Sequence, residues 1–291
     1  MAEAESRDSK IVEIATVESL SAFVEVVTGL SRPAGNIAAF RGQRNAEWRP
    51  RPVLFREKRR AIDNENEIIR QLISIQPNEF VDDSSMFDRL VRMQHFGLPT
   101  RLLDVTLNPL VALYFAAEDA TAGGKKVDGR VLTYIIPESR RKYFDSDAVS
   151  CIANLANLSS AEKSEIEDDV SDSILEFNSI DALDRLLQFI RAEKPYFRAK
   201  IEKADLYTPY YVTPKRSNRR LLAQSGAFII YGLMGGRGLY YEPNIRLREI
   251  VVAADAKRRI RDELDALAIN ESTLFPELDK AASYITKRLL G

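Results

Sequence analysis

His95, Arg101 and Asp104 stand in a run, Met93 to Ala117, that is otherwise almost wholly apolar, with Thr100, Thr106 and Asn108 as small hydrogen-bonding residues beside them. His95 is the one histidine of the chain. Charged groups among Leu, Val and Pro are costly unless paired or hydrogen-bonded, so each needs a partner or a task. Such a combination suits the floor of a site. A carboxylate there can stabilise developing positive charge, a guanidinium can grip phosphate through two parallel hydrogen bonds, and an imidazole can orient a hydroxyl or take its proton near neutral pH. Structural alternatives stand beside each role. Arg101 and Asp104, three positions apart, can pair as a buried clamp. His95 can be a satisfied core histidine, and Thr106 and Asn108 can cap the helix that follows.

The elements that must position these groups are readable from pattern. A helix over Met86 to Phe96, stopped by Gly97, delivers His95, and Asn108-Pro109 starts a second helix running to Ala120, with Asn as N-cap and Pro in its first turn. A strand over Ile37 to Arg41 brings Arg41, Gly42 and Gln43 to its end. Further strands are expected at Ile11 to Ile14, Arg130 to Ile136, Tyr207 to Val212, Ala227 to Tyr231 and Ile245 to Ala253. Helices are expected at Val17 to Leu30, Asn64 to Gln76, Ala256 to Leu267 and Phe275 to Leu290, the last capped by Ser272 or Thr273. Residues 139–194 are acidic and free of Gly and Pro, with a capping box at Ser159 and Glu162 and an apolar face of Leu183, Leu186, Leu187 and Ile190. They read as a helical insertion. Short strands among clustered helices indicate an α+β fold rather than a doubly wound sheet. Residues 1–8 read as a disordered tail, and 9–291 as one domain carrying the insertion.

Bulk properties exclude several classes. At 45% hydrophobic and 29% charged residues, the 291-residue chain has an ordinary globular composition. A formal net charge of −1 gives no global pull toward nucleic acid or anionic membrane. One local segment, Arg49, Arg51, Arg56, Lys58, Arg59 and Arg60 beside the only tryptophan, Trp48, is either a solvated face or a nucleic-acid contact. The single Cys151 rules out an internal disulfide framework and a cysteine zinc site. There is no long apolar run and the N-terminus is polar, so no membrane association and a cytoplasmic location are expected. No Gly-x-Ser-x-Gly elbow is present, and Gly123-Gly124 and Gly235-Gly236 lack the context of a phosphate loop.

Four sequence pieces carry a family resemblance. They are Phe40-Arg41-Gly42; Gln94 through Asp104 followed by the Asn108–Ala116 block; Arg220-Leu221-Leu222-Ala223-Gln224-Ser225-Gly226-Ala227-Phe228; and Phe275-Pro276-Glu277-Leu278-Asp279. Together they resemble the FRG domain family across most of the chain. Their order is similar, more distantly, to the ADP-ribosyltransferase superfamily, with a first strand ending in Arg, a Thr-led helix block and a third strand. That resemblance implies a small split mixed or antiparallel sheet with flanking helices, a cleft for NAD, and a setting in a toxin or phage-defence component. The superfamily usually offers a carboxylate on the third strand where Gly226 stands here, so Asp104 becomes the candidate carboxylate. The resemblance then assigns His95, Asp104 and Arg41 to catalysis and Gly42, Gln43, Thr100, Arg101, Thr106 and Gln224 to holding NAD, with no metal. Arg41, His95, Arg101, Asp104 and Gln224 are expected to line one pocket. Two other readings stay open. One is a non-catalytic nucleotide- or nucleic-acid-binding module using Trp48, Arg49, Arg51 and Arg56; the other is a partner-binding scaffold using the insertion.

Overall fold

Eight strands make one mixed, open sheet in the computed structural model, which describes residues 11–31, 33–56, 60–215, 219–234 and 245–278 together with 282, 284 and 286. In chain order they are β1 (Val12–Val17), β2 (Asn36–Gln43), β3 (Leu102–Thr106), β4 (Gly129–Pro137), β5 (Arg141–Tyr143), β6 (Tyr210–Thr213), β7 (Gly226–Ile230) and β8 (Arg246–Val252). Their spatial order is β1-β8-β4-β2-β3-β7-β6-β5. The two outermost pairs, β1 with β8 and β5 with β6, are parallel, and the inner pairs are antiparallel.

The pairing is uneven in a way that creates the site. β2 follows β4 along its whole length, from Asn36↔Pro137 to Gln43↔Arg130, and β3 follows β7 from Leu102↔Ile230 to Thr106↔Gly226. Between β2 and β3 a single pair remains, Phe40↔Thr106. The sheet is therefore two four-stranded halves joined at one point, and the fold is α+β.

The helices that matter here are α1 (Leu20–Thr28), α2 (Glu65–Ile75), α3 (Met86–His95), α4 (Pro109–Ala116), α5 (Asp147–Asn154), α6 (Ser160–Asp168), α7 (Asp181–Glu193), α8 (Arg219–Ala223), α9 (Lys257–Ala266) and α10 (Glu271–Leu274). On the first half-sheet α1, α4 and α9 bury Phe23, Val111 and Ile260 against Phe40, Val131 and Ile250. On the second half, α3 and α5 bury Phe87, Leu90 and Ile152 against Leu102, Phe228 and Val212. α4 is apolar almost all round because it lies flat on the sheet. A Cβ on Gly42 would stand 1.9 Å from the Ala112 carbonyl oxygen, and one on Gly129 would stand 2.0 Å from that of Ala116. Glycine at both positions is what lets this helix touch strand backbone.

Several expectations need correction. Leu102–Thr106, to which the sequence pattern assigned no element, is a strand, its mixture of charge and apolar residues hiding the alternation. The stretch 139–194 is not wholly helical, since Arg141–Tyr143 forms the edge strand β5 before α5, α6 and α7. Its Ala148, Val149 and Ile152 enter the core of the second half-sheet, and Leu183, Leu186 and Ile190 are buried in a cluster of their own. The fourth helix ends at Ala116, four residues early. Asn270, not Ser272 or Thr273, is the N-cap near the C-terminus, where its side chain accepts from Thr273 N and opens the short α10. The expected tail at residues 1–8, Lys58, Arg59, Gly235-Gly236 and Asp279, and nearly all of the expected Phe275–Leu290 helix past Leu278, lie outside the described residues.

Candidate functional site

Where β2 and β3 part, no ladder closes the sheet, and a cleft of about 220 Å³ opens there. Its floor is Phe40 and Gly42 from β2, Asp104 and Thr106 from β3, and Gly226 and Phe228 from β7. Strand alternation and register put these six on one face. Val91, Gln94 and His95 of α3 form one wall, Val111 and Phe115 of α4 another, and Arg220, Leu221 and Gln224 in and after α8 a third. Of the five residues expected to share a pocket, Arg41, His95, Asp104 and Gln224 border this cleft, and Arg101 does not.

Arg41 bridges the split. Its Nη1 donates to the Asp104 backbone oxygen at 2.6 Å and lies 3.9 Å from Asp104 Oδ2, while its Nε is shielded from solvent with no hydrogen-bond partner. A side chain thus replaces the missing strand ladder. The Arg41 side chain is 16% exposed and that of Asp104 65%, so the carboxylate opens toward solvent. Arg56 stands in the same field: burial and Arg41 lower its pKa, and Asp104 raises it.

His95 ends α3, meets Phe96 edge-to-face at 5.0 Å, and holds Nε2 3.5 Å from Glu277 Oε1. Burial pulls its pKa below the usual imidazole value, Arg220 and Arg92 pull the same way, and Glu277 opposes them. Near neutral pH the ring is therefore uncharged and able to accept a proton.

Gln224 and Thr106 have structural work. Thr106 Oγ1 donates to the Gln224 carbonyl at 2.6 Å and accepts from Asn108 N at 2.9 Å, while Asn108 Oδ1 caps α4 by accepting from Leu110 N. The Gln224 amide donates to the Leu274 carbonyl at 3.0 Å. Thr106 and Gln224 therefore line the cleft while pinning its walls. Thr100 is buried one layer back, where its hydroxyl donates to Gln94 Oε1.

Three ligand-holding assignments are corrected, since Thr100, Arg101 and Gln43 do not border the cleft. Arg101 is 1% exposed and faces away from the cleft, with Nε on Glu65 Oε1 at 2.9 Å and Nη1 on the Tyr231 and Gly232 carbonyls. Lys163 joins the same Glu65 at 2.7 Å. The partner is thus Glu65 rather than Asp104, because Asp104 points to the opposite environment. Gln43 is buried under Arg130, whose Nε donates to its Oε1 at 2.8 Å, and it does not reach the cleft. Gly42 does border the cleft, but what fills the place of its Cβ is α4 rather than a ligand.

In the basic segment Trp48 is 42% exposed, with the Arg44 guanidinium 5.3 Å from its ring centroid. Arg49, Arg56 and Arg60 are exposed, while Arg51 is half-buried and its carbonyl accepts from Arg56 Nε. Among the described residues, no group of three or more His, Cys, Asp or Glu side chains is placed to hold a metal ion. No helix among them is long and apolar enough to cross a membrane.

Residues 36–125 match the family model of the FRG domain. The chain carries an FRG domain. The matched range runs from β2 past α4, so it contains Arg41, His95 and Asp104 but not Arg220, Gln224 or Glu277, which the fold brings to the FRG cleft from elsewhere. No curated protein and no solved structure matches the chain. Sequence reasoning left Gln94, Arg220 and Glu277 out of the site. Gln94 adjoins His95 and Arg220 opens the third motif piece, so both had a local signal; Glu277 had only its place in the closing motif.

Proposed function

We propose that the cleft of this FRG domain binds NAD as a substrate and transfers its ADP-ribosyl group to a nucleophile. The observation that carries the reading is the exposed Asp104 carboxylate beside Arg41 at the split of the sheet, with a neutral His95 on the same cleft. Heterolysis of the nicotinamide–ribose bond sends its electron pair out with neutral nicotinamide and leaves positive charge on the sugar. A carboxylate next to that carbon lowers the barrier, as in glycoside hydrolysis. The acceptor oxygen then bonds to the same carbon, and His95 takes its proton. Arg41 suits the diphosphate. At about 220 Å³ the cleft falls below the ~300–1,000 Å³ of common ligand sites, so it suits the nicotinamide riboside half, with the adenosine half extending past Arg41 toward Arg56. Gly226, which brings no side chain to the floor, leaves the carboxylate role to Asp104. An enzyme of this class acting in the cytoplasm fits a toxin or a phage-defence component.

The test is calorimetry with NAD and chromatographic detection of released nicotinamide. Asp104→Asn should keep the wild-type melting temperature, because the side chain is 65% exposed, while turnover falls about 10²–10³-fold. Absence of NAD binding, or turnover indifferent to Asp104→Asn, would overturn the reading. A second reading, a nucleic-acid contact through Trp48, Arg49, Arg51 and Arg56, is favoured by the exposed indole flanked by exposed arginines.

A further inference from the structure

We infer that Glu277 is the positioning carboxylate of His95, so that the C-terminal segment completes the cleft; the inference rests on reading the cleft as a site of ribosyl transfer. Glu277 Oε1 is 3.5 Å from His95 Nε2, and the two side chains are only 33% and 21% exposed. Its other oxygen, Oε2, is shielded from solvent and has no hydrogen-bond partner. A carboxylate so placed is stabilised by a positive charge at its first oxygen, and His95 supplies it once the ring takes up a proton.

The segment is fastened to the cleft walls rather than resting near them. The Gln224 amide donates to the Leu274 carbonyl at 3.0 Å. The Arg220 guanidinium lies 4.7 Å from the Phe275 ring centroid, and Phe115 meets the same ring edge-to-face at 6.0 Å. Gln224, Arg220 and Phe115 all line the cleft, so the contacts that shape it also fix where Glu277 stands.

An imidazole whose Nε2 faces a carboxylate keeps its proton there and offers Nδ1 as acceptor. During transfer the acceptor O–H bond breaks, oxygen bonds to the ribose carbon, the proton goes to Nδ1, and the glycosidic electron pair leaves with nicotinamide. The charged groups around the ring are Arg220 and Arg92, which oppose the imidazolium, and Glu277, which favours it. Glu277 offsets part of the pull of the guanidiniums and favours the protonated ring, although the balance stays below the usual imidazole value. The separation of 3.5 Å contracts to a hydrogen bond once the ring is charged.

Because His95 is the only histidine, its Hε1 resonance can be followed by proton NMR without assignment. Titration of wild type, Glu277→Gln and Glu277→Asp decides the pairing. Glu277→Gln removes the charge that raises the imidazole pKa, so its midpoint should move to lower pH; Glu277→Asp should lie between it and wild type. With NAD, kcat of Glu277→Gln should fall about tenfold, less than the 10²–10⁴-fold that acid–base catalysis as a whole contributes, at unchanged KM. The acidic limb of the pH profile should move with the NMR midpoint. An unchanged midpoint in a folded Glu277→Gln protein would overturn the inference. Should that variant not fold, Glu277→Asp is read instead, and a midpoint equal to wild type overturns it. If wild type neither binds nor turns over NAD, the transfer reading fails while the titration still decides the Glu277–His95 pair.

Discussion

Replacing Glu65 by Gln should destabilise the protein far more than replacing Lys163 by Met, although both side chains belong to one buried cluster. Arg101 and Glu65 are each 1% exposed and Lys163 is 6% exposed, so two cations share one carboxylate inside the protein. Glu65→Gln leaves both cations uncompensated; Lys163→Met leaves the Arg101–Glu65 pair, formally neutral and still bonded through two nitrogens. Breaking a buried pair by removing one partner costs about 3–5 kcal/mol, whereas exchanging a surplus buried charge for an apolar chain is near neutral. The titration directions agree. Burial pushes the Glu65 carboxyl up, but Arg101 and Lys163 outweigh it and hold it below its usual value. Burial and Arg101 lower the Lys163 ammonium despite Glu65, so its charge costs stability at neutral pH. Urea unfolding at pH 7 should therefore show a loss of about 3–5 kcal/mol for Glu65→Gln and a change within about 1 kcal/mol for Lys163→Met. In melting temperature the first corresponds to roughly 6–15 °C, at roughly 2–3 °C per kcal/mol. The Glu65 contribution is present above the unfolded carboxyl pKa and lost as pH falls through the lower folded value, so the difference between wild type and Glu65→Gln should shrink in acid. Lys163→Met should leave NAD affinity unchanged, because the cluster lies outside the cleft. Equal losses for the two variants would refute this account of the cluster.

Two further predictions concern packing and the second functional reading. Gly42→Ala would put a methyl group 1.9 Å from the Ala112 carbonyl oxygen, so α4 must move; a loss of about 1–3 kcal/mol is expected in thermal or urea unfolding, and a wild-type curve would show that the helix does not rest on this backbone. If the exposed Trp48 and its arginines contact nucleic acid, affinity should fall steeply with salt, and Arg49→Glu with Arg56→Glu should flatten that dependence. No binding in fluorescence anisotropy at low ionic strength would leave these side chains as a solvated face.

The sequence by itself determined what depends on near neighbours along the chain. Asn108-Pro109 starts α4, Ser159 and Glu162 close the capping box of α6, and Arg130 to Ile136 fall in the buried strand β4, because caps and short apolar runs act within a few residues. The run from Gln94 to Ala116 was legible as an FRG motif for the same reason, and it carried His95 and Asp104. Local signals gave no reading of β3, where Asp104 interrupts the apolar run. They misjudged Arg101, expected on Asp104 or on a ligand, because its partner Glu65 and the Lys163 that shares it arrive on α2 and α6 and become neighbours only when those helices pack. Only the tertiary structure decided that β2 and β3 share a single pair, that Arg41 spans the gap they leave, and that Glu277 reaches His95. Each is a meeting of segments far apart in the chain. Which charges meet there depends on how whole helices and half-sheets fit together, and a linear pattern does not encode that fit.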